Sequence, residues 1–405
     1  MSESNIEKAS RENSSEQEEA TAAASPTWRQ VFLYFLMLGF INIGGPVAQI
    51  SMMFNHMVER RNWLSKDRFV KIMAFCHMLP GPEALQLAIY VGYVKRGLLA
   101  GILAGLTFII PGALLMIGLS WLYVTYGSLP QVNDALYILK PAVLGIIAAG
   151  IIKLGRAAIK NYVLAALLAG SFLAMRFAGI NFLLILLVAG MVNLIIEEGL
   201  PRLGGAMRTT PAVFALLTGF SLADSRAIQI AWLLFKTGLF SFGGAYASLV
   251  FLQRGAVDQY HWLSAGQLLD GVALSVATPG PFMLFGTFVG YLAGGVMGAA
   301  LATLFVFLPS FVFVLVGARY VEQLRHNRAV QSFLSGVSAA VVGVIVVVSL
   351  DLAPEALASL PMILIAVVGF LIIVLLKADV AYVAVGAMVA GVVYAAVRAI
   401  SGWIM

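Results

Sequence analysis

The chain is nearly without cysteine: Cys76 stands alone among 405 residues. A single thiol excludes a disulfide within the chain and any cysteine-clustered metal site. Histidine is as sparse, with four scattered residues that suggest no metal centre. Charge is scarce too: charged residues make up 11% of the chain, against about a quarter in soluble domains. No glycine-rich loop ending in Lys-Ser or Lys-Thr is present, which argues against direct ATP drive. With no cofactor motif and one cysteine, a redox enzyme is disfavoured and no cofactor is expected. What the chain has instead is apolar length. Hydrophobic residues account for 61%, and several runs reach the ~20 residues that cross a bilayer. These features describe an all-α polytopic membrane protein. The 40 glycines suit close helix packing and helix breaks in lipid. The net charge of +6 lies mostly in short loops, so it reports orientation and not nucleic-acid binding.

The apolar sequence is written twice. Gly44-Gly45-Pro46, Trp63-Leu64-Ser65, Pro80-Gly81-Pro82 and Gly92-Tyr93 recur as Gly243-Gly244, Trp262-Leu263-Ser264, Pro279-Gly280-Pro281 and Gly290-Tyr291. The first three landmarks keep an offset of 199 residues and the last one of 198. The organisation read from this is an acidic tail over 1–29, a first repeat over 30–200 and a second over 201–405. Each repeat carries a Pro-Gly-Pro break in apolar sequence, the arrangement of transporters whose substrate site lies at broken helices.

Along the chain, the tail counts six glutamates against Lys8, Arg11 and Arg29, a composition that predicts disorder. No basic segment precedes a short apolar stretch and a cleavage site, so no signal peptide is expected. A first long helix is predicted over about 30–54, kinked at Gly44-Gly45-Pro46. A charged loop follows over 55–71. The segments 69–79 and 83–95, around Pro80-Gly81-Pro82, are too short to span singly and read as a re-entrant hairpin of half-helices. Spans follow over 97–123 and 135–152, then a short pair over 161–175 and 181–196. The second repeat predicts a short apolar piece at 211–222 and a helix over 226–253. Half-helices flank Pro279-Gly280-Pro281, and further helices cover 296–318, 331–350, 360–376 and 380–398. Loops 55–71 and 153–160 are basic while their counterparts 254–267 and 351–359 are not; 124–134 lacks bases while 319–330 is basic. Under the positive-inside rule this predicts two repeats of inverted topology, with both termini outside.

A proline suits a helix N-terminus, so Pro82 and Pro281 are placed to open half-helices. Helix N-termini offer unpaired N–H groups and a positive dipole end, and two of them meeting at mid-depth make an anion site. The candidate substrate-binding residues are Asn42, Gly44, Gly45, Pro80, Gly81, Pro82, Gln86, Lys236, Ser241, Gly243, Gly244, Tyr246, Thr278, Pro279, Gly280 and Pro281. The copies differ where Glu83 and Gln86 face Phe282 and Phe285. Glu83 reads either as a helix cap or as a protonatable group coupled to transport, and His77 either as a proton carrier or as a hydrogen-bonding residue. Lys236 either snorkels to the surface or supplies the fixed cation. Trp63 and Trp262 read as interfacial anchors, and Ser65 and Ser264 as caps.

The sequence resembles the chromate ion transporter family in its long, two-domain form. The resemblance rests on Phe40 through Pro46, Trp63-Leu64-Ser65, Leu79 through Ala84 and Gly92-Tyr93. In the second half it rests on Phe235 through Gly244, Ala277 through Pro281, and Leu308-Pro309-Ser310. It covers roughly 30–400 and implies a secondary transporter that exports chromate, with sulfate as the related oxyanion, in a bacterial inner membrane. It assigns the anion path to Pro80 through Glu83, Pro279 through Pro281, the glycine pairs and Lys236. The drive is an ion gradient or the membrane potential, with uniport-like export and proton antiport through Glu83 or His77 both open. Membrane lipid forms the surroundings, and a homodimer is the one protein partner the reading admits. An oxyanion uptake symporter and an anion channel are the alternatives on the same scaffold.

Overall fold

A computed structural model describes residues 26–42, 46–127, 129–199, 225–242, 246–317 and 327–404. The expectations for Gly44, Gly45, Gly243, Gly244, the tail 1–25, the piece 211–222 and most of the turn 319–330 lie outside the described residues.

The regular structure described is helical throughout. The first repeat runs α1 (Trp28–Ile41), α2 (Pro46–Phe54), a π-turn (Asn55–Arg60), α3 (Lys66–Cys76), α4 (Glu83–Arg96), α5 (Leu98–Tyr126), α6 (Pro130–Ala158), α7 (Tyr162–Phe177) and α8 (Phe182–Glu198). The second runs α9 (Arg226–Leu239), α10 (Tyr246–Leu252), a π-turn (Gln253–Gln259), α11 (Ala265–Ala277), a 3₁₀ turn (Phe282–Leu284), α12 (Phe285–Gly317), α13 (Arg328–Ala356), α14 (Leu360–Leu375) and α15 (Val380–Ile404). The two lists correspond element by element. The α4–α5 junction at Gly97 has its counterpart in a break within α12 at Gly294 and Gly295. Five of the described helices are long and apolar enough to cross a membrane, so the chain is a multi-pass membrane protein.

The structure corrects three details of the sequence reading. The helix expected over 30–54 is two helices, because the chain leaves helical geometry at Asn42, the C-cap of α1; 226–253 divides likewise after Leu239. The loop expected over 55–71 is largely ordered as the π-turn and the start of α3. Trp63 and Trp262 are core residues, 3% and 9% exposed, and not interfacial anchors. Their N–H groups donate to the Met57 and Ala256 carbonyls, which closes the π-turn onto the next helix. Ser65 and Ser264 do cap α3 and α11, accepting from the N–H groups of Arg68 and Gln267. Only Ser264 has the reciprocal bond, from its own N–H to Gln267. Ser264→Ala should therefore lower thermal stability by about 1 kcal/mol and Ser65→Ala by less, as differential scanning fluorimetry in detergent would read.

The copies interlock. Helix α1 packs on α5, and α9 packs on α12. The terminal helix pairs are exchanged: α7 and α8 pack on α13 of the other repeat, while α14 and α15 pack on α6. Glycines set how close these helices come. A β-carbon on Gly145 would lie 2.3 Å from the Ala366 carbonyl oxygen, and one on its counterpart Gly343 2.3 Å from that of Leu168.

Candidate functional site at the crossed helix breaks

The two Pro-Gly-Pro turns do not cap their own repeat. The Gly81 N–H donates to the Ser241 carbonyl at 3.0 Å, and the Gly280 N–H to the Asn42 carbonyl at 2.8 Å. Asn42 and Ser241 are equivalent positions, as are Gly81 and Gly280, so each copy's hairpin turn crosses the other copy's broken first helix. Four helix breaks thus meet in two pairs. Both turns need glycine: φ is +116° at Gly81 and +118° at Gly280, a region that other residues adopt only with strain.

At the first crossing, Gln86 turns back to donate from Nε2 to the Pro80 carbonyl at 2.7 Å. A β-carbon on Gly81 would sit 2.5 Å from Ser310 Oγ and 2.9 Å from Gln86 Nε2. Pro82 is the N-cap of α4, and Glu83 is its first residue, as the sequence led one to expect. At the second crossing, Pro281 opens a single 3₁₀ turn and not an α-helix. Ser275 Oγ bridges the break by donating to the Phe282 carbonyl at 2.7 Å. Thr278 is the C-cap of α11, and its hydroxyl donates back to Ser275 at 3.3 Å. Gln49 Nε2 donates to the Gly280 carbonyl at 3.1 Å. Gly112 lies so near that a β-carbon there would be 2.4 Å from the Pro279 carbonyl oxygen. Tyr246 packs against Phe282, with ring centroids 5.2 Å apart.

Polar atoms are stranded around these crossings. Both amide atoms of Asn42, Oε1 of Gln86, Oε2 of Glu83 and Oγ of Ser310 are buried without a hydrogen-bond partner. Each such group costs about 1–3 kcal/mol when left unpaired, so this cluster is the concentration of polar groups beside the crossings that calls for an explanation. His77 Nδ1 stands 3.8 Å from Glu83 Oε1, an ion pair only when the imidazole is protonated. Lys236 is placed elsewhere. Its ammonium lies 5.5 Å over the Trp232 ring, in a cleft of about 290 Å³ shared with Asn181, Arg254 and Gln259. Arg254 in that cleft is itself paired with Asp258 and Asp351.

Residues that the sequence reading did not assign to the site also belong here. Gln49, Gly112 and Ser310 complete the crossings; Gly112 and Ser310 are the paired residues that follow Pro111 and Pro309 in the repeat, which was their signal. Buried Asp270 forms a polar cluster with the half-buried Lys140 and Tyr123 next to the second hairpin, signalled by an acid and a base inside apolar helices. Among the described residues no group of three or more His, Cys, Asp or Glu could hold a metal ion.

A family model described as chromate transporter matches residues 29–194 and 228–392. The chain is 35% identical over 353 residues to a chromate transport protein of Pseudomonas aeruginosa, covering 83% of this chain and 84% of that one. It is 33% identical over 379 residues to a chromate transport protein of Cupriavidus metallidurans, covering 88% and 92%. It is 31% identical over 353 residues to a probable chromate transport protein of Synechococcus elongatus, covering 85% and 89%. No solved structure matches the chain significantly.

Proposed function

Because the chain belongs to the chromate transporter family, we propose that it exports chromate, a tetrahedral dianion, across a bacterial inner membrane as a secondary transporter built from two inverted repeats. The observation that supports this reading is the pair of crossed breaks with buried, unpartnered polar atoms beside them. Asn42 Nδ2, the Ser310 hydroxyl and the free N–H groups in the first turn of α4 are the donors for an oxyanion. The glycine N–H groups of both turns are already engaged, so they hold the architecture while their neighbours hold the ion. Lys236, in its separate cleft, draws the anion toward the path without touching it at the breaks.

Glu83 gives the site its coupling. Ionised, its buried Oε2 repels a dianion; protonated, it becomes a donor to one. His77, at 3.8 Å, relays that proton. Outward movement of the dianion with no proton carried alongside is favoured by an inside-negative potential, by about 4.6 kcal/mol per 100 mV at ~2.3 for each charge, and each proton carried out with it removes ~2.3 of that. The test is purified protein in liposomes, with chromate, sulfate and pH gradients varied independently. Saturable chromate efflux is expected, and Glu83→Gln should flatten its pH dependence. A flux that never saturates would make the protein a channel. Sulfate uptake driven by protons, without chromate export, would make it a symporter on the same scaffold.

A further inference from the structure

Helix α11 is uncharged except at its centre, where Asp270 is 3% exposed. The Asp270 carboxylate joins three helices from both repeats. Tyr123 of α5 donates its hydroxyl proton to Oδ2 at 2.8 Å. The Lys140 ammonium of α6 lies 3.1 Å from Oδ1, a salt bridge between the repeats. Lys140 keeps partial access to open space, its side chain being 20% exposed. The Tyr123 ring rests edge-on against Phe288 of α12, at 5.1 Å. The cluster is therefore attached to both arms of the second hairpin. Asp270 is eight residues before Thr278, about 12 Å along a helix that rises ~1.5 Å per residue.

The pair exists in one copy only. Lys71 occupies the position equivalent to Asp270, and Ser338 the position equivalent to Lys140. It is thus no requirement of the shared architecture. A buried ion pair is a poor source of stability, since well-packed apolar residues usually do as well or better. Ionisable side chains within a membrane are costly and mark ion or proton pathways.

We propose that Asp270 is a proton-binding site that decides whether the Lys140 ammonium is free to pair with the transported oxyanion. The inference rests on the anion-transport reading and adds to it a second protonatable carboxylate, remote from Glu83. With Asp270 ionised, Lys140 is neutralised and offers an anion little. One proton from the aqueous phase adds to Oδ1, and no other bond is made or broken. Oδ2 still accepts from Tyr123. Lys140 is then an uncompensated cation in a low-dielectric setting, and a tetrahedral oxyanion is its best partner. Loss of the proton restores the pair and expels the anion.

The other charges around Asp270 leave this role to it. Glu355 of α13 is the second carboxylate within electrostatic reach. Helix α12 carries no charged side chain. Arg254 of the π-turn pairs with both Asp258 and Asp351, and Arg398 of α15 pairs with Asp134.

The experiment joins flux to a chemical probe of protonation. Dicyclohexylcarbodiimide reacts with protonated carboxyls in apolar surroundings, and peptide mass spectrometry reports the residue modified. Labelling of Asp270 in liposomes should rise as pH falls. Added chromate should raise it further, since anion and proton reinforce each other's binding. Asp270→Asn should remove part of the pH dependence of chromate flux and leave the part that Glu83 supplies, so that only the double variant with Glu83→Gln is insensitive to pH. Lys140→Gln in that background should raise the KM for chromate at least tenfold. A purely structural latch predicts lower thermal stability with the parent's pH profile and KM, and that result overturns the proposal. So does labelling of Asp270 that ignores both pH and chromate. If the parent carries neither chromate nor sulfate, the transport reading fails and the role given to Lys140 falls with it. Labelling that still rose on acidification would then uphold only the proton site.

Discussion

Gly81→Ala should cut chromate flux by more than tenfold while the protein still inserts and purifies as a single species. The backbone at Gly81 has φ +116°, where a side chain costs about 1–3 kcal/mol. The added methyl would also sit 2.5 Å from Ser310 Oγ and 2.9 Å from Gln86 Nε2. Both neighbours must retreat, and Gln86 then loses its 2.7 Å bond to the Pro80 carbonyl. The damage therefore falls on the crossing itself, where Gly81 bonds to Ser241. Gly280→Ala carries the same backbone strain at φ +118°. Its nearest obstacle is Leu284 Cδ1 at 2.6 Å, the mobile end of a side chain, so its effect should be the smaller of the two. Gly118→Ala is the control, because nothing lies within 4 Å of a β-carbon there. Proteoliposome flux per unit of protein decides the matter. Parental flux from Gly81→Ala would remove the crossing from the transport path.

The duplication made much of this legible beforehand. The offset of 199 residues identified which positions correspond, and the Pro-Gly-Pro triplets located the short helices Lys66–Cys76 and Glu83–Arg96 to within a few residues. Local pattern could not say which partner each turn would find. That Gly81 bonds to Ser241, and not to its own repeat's Asn42, depends on how the copies cross, and no periodicity carries that. The same holds for α7 and α8 packing on α13, since an apolar helix face does not encode its partner. Trp63 was misread for a related reason. Beside the charged stretch it resembles an interfacial anchor, yet Tyr34 and His56 enclose it. Asp270 and Lys140 were written in plain view inside apolar helices, but they are far apart in the chain and become a pair only in three dimensions.

The exchanged helix pairs set the other large effect. Gly343→Ala should lower the unfolding temperature markedly, and Gly145→Ala should do so by a similar amount. In each case the obstacle is backbone: a β-carbon at Gly343 meets the Leu168 carbonyl oxygen at 2.3 Å and the Phe172 nitrogen at 3.1 Å. At Gly145 the Ala366 oxygen lies at 2.3 Å and the Phe370 nitrogen at 3.1 Å. Ordinary contact begins near 3.4 Å, so the helices must separate by about 1 Å, an overpacking cost of roughly 1–3 kcal/mol. Lipid offers apolar helices no hydrophobic reason to stay together, so the lost van der Waals contact is not replaced. Helix α6 also packs on α13, so the two sites share a neighbour. The double variant should depart from additivity, as residues coupled through a common packing surface do. Thermal unfolding in detergent measures all three variants. A Gly343→Ala protein that melts with the parent would mean that α7 and α13 are not in close backbone contact, and the exchange of helix pairs between the repeats would go with it.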